Sequence, residues 1–98
     1  MKMTKTGVNK IHLVRKNKRN EIVETISFIK DFRPAFNIDK KYVEINKMEG
    51  CIWYNDYKYF NTNEEGNTFY KECIQNGFIK SDEDTVDNFI HKCGMLTY

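Results

Sequence analysis

Ninety-eight residues are enough for one domain but not two, and 16 basic against 14 acidic side chains leave a formal charge of only +2. That balance does not suit a protein wrapped along its whole length by nucleic acid, and no apolar run approaches the roughly 20 residues of a membrane helix. Lysine (13), Asn (11), Ile (10), Phe (7) and Tyr (6) dominate while Leu (2), Ala (1) and Pro (1) are scarce, so good helix formers are few and strand formers many, and the expectation is an α+β fold.

Residues 1–8 read as a flexible basic end, and 9–98 as a single compact domain. The lysines of MKMTKTG are followed by no apolar segment of the kind a secretory signal needs, so a cytoplasmic location is expected. From Asn9 to Lys16, Ile11, Leu13 and Arg15 alternate with His12 and Val14, which predicts a strand. NKRN then turns the chain. EIVETISFIKDF fits two periods: Ile22, Ile26 and Ile29 have helical spacing, but Ile22, Glu24, Ile26 and Phe28 alternate. The reading is a strand through Ile26, then a short helix capped by Ser27 that ends near Phe32 or Arg33, before Pro34.

Residues 42–60 read as a meander, with tight turns at Glu49-Gly50 and Asn55-Asp56. Counting across those turns places Val43, Ile45, Ile52, Tyr54, Tyr57 and Tyr59 on one face, as core. Tyr42, Glu44, Asn46, Met48, Cys51, Trp53, Lys58 and Phe60 fall on the other. On that mixed face Lys58 would lie against the Trp53 indole. Two helices follow. Asn67 or Thr68 caps FYKECIQN and Gly77 ends it at positive φ. Ser81 caps DEDTVDNFIHKC, with Asp84 three residues on, and Gly94 stops it. The expected whole is an antiparallel sheet, made of an amino-terminal strand or hairpin plus the 42–60 meander, packed with one short helix and two carboxy-terminal helices.

Cys51, Cys73 and Cys93 are odd in number and form no CxxC, so they read as structural thiols. His91 and Cys93 are two apart and would diverge on a helix. No phosphate loop, metalloprotease or nucleophile motif occurs. The expectation is a protein without enzyme activity, cofactor or metal.

Two functions remain. The first is a small non-catalytic protein-binding module, monomer or homodimer. Its anchors would be Tyr42, Trp53, Lys58 and Phe60, with Asp82, Glu83, Asp84 and Asp87 standing in for phosphates against a basic channel. Codons for Lys, Asn, Ile, Tyr and Phe are rich in A and T, as in phages of low-GC bacteria. A phage or mobile element would use such a module to occlude a host protein or nucleoprotein, for example a defence nuclease. The alternative is DNA or RNA binding. Seven positive charges and no acid fall in residues 1–19, among them Arg15, Lys16, Lys18 and Arg19. FRPAFNIDKKYVEINKMEG also reads loosely as helix–turn–helix, with Asp39 capping a recognition helix led by Lys40 and Lys41 and the 51–60 hairpin as a wing.

Overall fold

The computed structural model describes residues 6–96. The chain forms an α+β domain around one five-stranded antiparallel sheet. Strands β1 (Gly7–Lys16), β2 (Ile22–Arg33), β3 (Ile38–Glu49) and β4 (Ile52–Tyr59) are successive hairpins. Helix α1 (Asn63–Gln75), the short strand β5 (Ile79–Ser81) and helix α2 (Glu83–Leu96) follow, and the strand order is β4-β3-β2-β1-β5. Gly7 and Val8, expected in the flexible end, are strand residues paired with Phe32 and Asp31. Residues 1–5 lie outside the described residues.

Alternation decides the faces. Ile11, Phe28 and Val43 are directly opposite one another, as are Leu13, Ile26 and Ile45, and these rows share one face. Helix α1 packs there. Leu13, Ile26 and Val43 close with Cys73 and Phe78 into a buried cluster, flanked by Phe28, Ile45, Phe60, Phe69 and Tyr70. The chain then passes along the free edge of β1 as β5, pairing Lys80 with Leu13. It emerges on the other face as α2, where Val86, Phe89 and Cys93 are buried and Val14 faces them from β1. An ion pair from Lys10 to Glu83 (3.5 Å) ties the start of α2 to that face.

Four sequence expectations fail. The helix expected over 27–33 is strand, because β2 pairs on both sides, with β1 and with β3, and Ser27 serves the sheet by hydrogen-bonding His12 Nδ1 at 2.7 Å. Tertiary pairing overrides an ambiguous period here. No helix–turn–helix forms. Pro34–Phe36 is a single 3-10 turn, Asn37 at φ 60 reverses the chain, and Asp39, Lys40 and Lys41 are strand residues. Helix α1 begins earlier than expected. The Thr62 hydroxyl accepts from Glu65 N (3.2 Å), and Asn61 N donates to the Glu65 carboxylate (3.1 Å), so Thr62 rather than Asn67 or Thr68 is the cap. For α2 the cap is Asp82, whose carboxylate accepts from Thr85 N at 2.7 Å, while Ser81 belongs to β5. Gly94 lies inside that helix. Gly77 does end α1 at φ 92.

The fifth correction moves the candidate site. Asn55-Asp56 is not a turn, and β4 runs straight through it. A tight hairpin turn wants φ > 0 at both central residues, and Asp in the second place meets that poorly. Gly50, at φ 61, makes the only turn between β3 and β4. The pairing also slips by two residues from the expected register, with Lys47 opposite Tyr54 and Glu49 opposite Ile52. A two-residue slip preserves faces, so Trp53 keeps its place beside Tyr42, Glu44, Asn46 and Met48. Beyond Asn55 every side chain changes side.

Candidate binding surface

Tyr57 and Tyr59, expected in the core, are exposed on the same face as Trp53 and Tyr42. The rings of Tyr42 and Tyr59 lie 5.0 Å apart, and those of Tyr42 and Tyr57 6.4 Å apart. Exposure is 48% for Tyr57 and 64% for Tyr59, which is high for aromatic side chains and leaves both available for contact. The Tyr57 hydroxyl is hydrogen-bonded to Glu44, which holds its pKa above the usual tyrosine value; the Glu44 charge and burial push the same way. The phenol therefore stays a neutral donor.

Beneath these rings the face is polar. Asn46 is buried, and its Oδ1 accepts from Trp53 Nε1 (2.9 Å) and from Asn55 Nδ2 (3.0 Å). One oxygen with two lone pairs thus satisfies two donors from the edge strand. This holds Trp53 half-buried as a fixed support rather than a free anchor. The next row across the sheet is His12, Ser27, Glu44 and Tyr57.

Lys58 and Phe60 do not join Trp53. Lys58 lies on the α1 face with its ammonium 4.9 Å from the Phe69 ring centre and 5.9 Å from that of Phe60. Phe60 packs on Phe69 at 5.9 Å and borders the core. The acidic group Asp82, Glu83, Asp84 and Asp87 starts α2, just after β5, at the opposite edge of the sheet from β4. Four strand spacings of about 4.8 Å put the two edges roughly 19 Å apart. Asp82 is held in its charged form below the usual carboxylate range, first by the Thr85 backbone hydrogen bond and then by the Thr85 hydroxyl.

The basic residues are also separated. Arg15 pairs with Glu24 at 3.0 Å, while Lys16, Lys18 and Arg19 sit at the β1–β2 turn. Lys40 and Lys41 lie across from Asp31 and Lys30, near the other end of the strands, and Lys41 pairs with Asp39 at 3.3 Å. They form no single basic stripe. Among the described residues no three His, Cys, Asp or Glu side chains converge as metal ligands. No described helix is long and apolar enough to cross a membrane. The chain matches no protein family, no curated protein and no solved structure.

The free edge completes the surface. Phe60 N donates to Lys41 O at 2.8 Å, so the alternate residues Trp53, Asn55, Tyr57 and Tyr59 turn their main-chain groups away from β3. Their main-chain groups line an eight-residue edge that no described strand covers, with the Tyr57 N–H alone taken up locally, donating to the Asp56 carboxylate at 2.8 Å. Pattern reasoning missed Tyr57 and Tyr59 because of the assumed turn. The missing Gly at Asn55-Asp56 was the signal against it.

Proposed function

We propose that this chain is a non-catalytic protein-binding module that acts by stoichiometric occlusion, with β4 and the tyrosine face beside it as the contact surface. The observation that carries the reading is the coincidence, on one strand, of open main-chain groups and half-exposed Tyr57 and Tyr59. An extended segment of a partner adds to such an edge through main-chain hydrogen bonds, while the rings supply side-chain contact. Tyrosine brings large contact area at low entropic cost. The AT-rich residue usage supports a phage or mobile-element source, and a host nucleoprotein such as a defence nuclease, met in the cytoplasm, as the partner. The acidic start of α2 would then face a separate, basic part of that partner. Mixing the protein with candidate host nucleoproteins and resolving the products by size tests this. A stoichiometric complex that Tyr57→Lys and Tyr59→Lys abolish is expected. Absence of any complex, or one indifferent to both substitutions, overturns it.

One observation favours a second reading. Tyr42, Tyr57 and Tyr59 share their face with Lys10 and Lys40, an arrangement on which single-stranded bases could stack. A mobility shift that weakens steeply with salt and is lost in Tyr42→Ala would support it. Flat or absent binding removes it.

A further inference from the structure

We propose that the hollow between the α1 face of the sheet and the first turns of α1 binds a small amphipathic anion. Its apolar body would lie on Ile11 and Phe28, and its carboxylate or phosphate would be held by Lys30 and Lys41. The hollow has a volume of about 370 Å³ and is walled by Ile11, Phe28, Phe60 and Tyr70. Small-molecule sites span roughly 300–1,000 Å³ and are mainly apolar with a few placed polar groups. Three features mark it as more than a packing gap. Ile11 is 48% exposed although it stands in a row with Phe28 and the fully buried Val43. Gly66 lines the hollow without a side chain, and a Cβ there would stand in ordinary contact with Phe60, at 3.7 Å.

The third feature sets the charge of the ligand. Lys30 and Lys41 stand directly opposite each other on this face, in the row next to Ile11 and Phe28. Like charges in that position repel. Asp39 compensates Lys41 at 3.3 Å, but Lys30 makes no ion pair with any described residue. An anion between the two ammonium groups removes the repulsion and gains charge-assisted hydrogen bonds. Asn63 and Asn67 add polar groups at the rim. The site is on the face away from Tyr57 and Tyr59 and does not depend on the proposed protein contact.

Titration with octanoate, followed by the amide shifts of Ile11, Phe28, Gly66 and Tyr70, tests the proposal. Saturable shifts are expected at these four residues. Octan-1-ol, with the same chain and no charge, is expected to bind about five-fold more weakly or worse, and Lys30→Gln or Lys41→Gln to weaken octanoate to a similar degree, the scale of one lost charge-assisted contact. Ile11→Glu, at an exposed position, places a competing carboxylate on the lysines and should abolish binding while leaving the spectrum dispersed. No saturable shift in the unaltered protein overturns the proposal. So does equal affinity for the alcohol, or an affinity unmoved by both Lys→Gln changes.

Discussion

The two faces of the sheet come from the same strands, one residue out of step, and they are finished by different physics. Under α1, Leu13, Ile26 and Val43 meet Cys73 and Phe78, and the buried side chains are all apolar. On the α2 face Val14 meets Val86, Phe89 and Cys93, but its own row continues across the sheet into buried Thr25 and Asn46, and the next row buries Ser27. Non-directional burial dominates the first face, and directional hydrogen bonds position the second. A face positioned by hydrogen bonds needs no complete apolar cover. Its outer end can therefore stay open for Tyr42, Tyr57 and Tyr59 without exposing the core.

The largest test of this contrast is truncation on either side of β1. Leu13 is fully buried, and Leu13→Ala should lower stability by about 2–5 kcal/mol in chemical denaturation. Val14→Ala, which deletes fewer carbons under the smaller α2 cluster, should cost less. An equal or larger loss from Val14→Ala would erase the contrast between an apolar α1 face and a hydrogen-bonded α2 face.

A second test uses pH. Burial first, and then the charges of Glu24 and Glu72, push the Cys73 thiol up from an ordinary 9.0 to about 11. Cys73 lies under α1 and is in no disulfide. Its folded-state pKa is above the unfolded value, so its contribution is complete below about pH 9 and is lost as pH rises through about 11. At about 1.4 kcal/mol per unit, that is roughly 2–3 kcal/mol of alkaline destabilisation. Denaturation midpoints at rising pH check it, and Cys73→Ala should flatten this part of the curve. An unchanged alkaline slope in that variant would mean the thiolate is accommodated without cost.

The legible parts of this fold are those with a strong local signal. Strand alternation over 9–16 and 42–49, the NKRN turn and the apolar stripe of α2 all follow from residue spacing. So does the division of Trp53 from Ile45 and Ile52 between faces, although Ile52 and Tyr54, expected in the core, are 56% and 48% exposed because α1 does not reach that end of β4. What was not legible depends on pairing at a distance. β2 extends through 27–33 because β1 and β3 flank it, a fact that no window along the chain contains. The candidate surface was half visible. Residue spacing puts Tyr42 and Trp53 on one face, as the structure does, but a turn at Asn55-Asp56 would send Tyr57 and Tyr59 inward and Lys58 and Phe60 outward, the reverse of what β4 does. Asn46, the acceptor that fixes Trp53, gives no sequence signal, because its role exists only once β3 and β4 are paired.

The smallest effect gives the sharpest reading of the polar face, because it predicts opposite signs two residues apart. Thr25 is fully buried, and its hydroxyl has no hydrogen-bond partner among the described residues. Ser27, on the same strand and face, is bonded to His12 at 2.7 Å. A buried hydroxyl without a partner bears its desolvation cost uncompensated. Thr25→Val keeps the β-branched shape and removes that cost, so thermal or chemical denaturation should show a gain of about 1 kcal/mol. Ser27→Ala removes a bonded partner and leaves His12 Nδ1 without it, so it should lose about 1 kcal/mol. If both substitutions destabilise, Thr25 has a partner that forms in solution, and the α2 face is as fully hydrogen-bonded at Thr25 as it is at Asn46. If both stabilise, the His12–Ser27 contact contributes nothing, and apolar burial governs both faces alike.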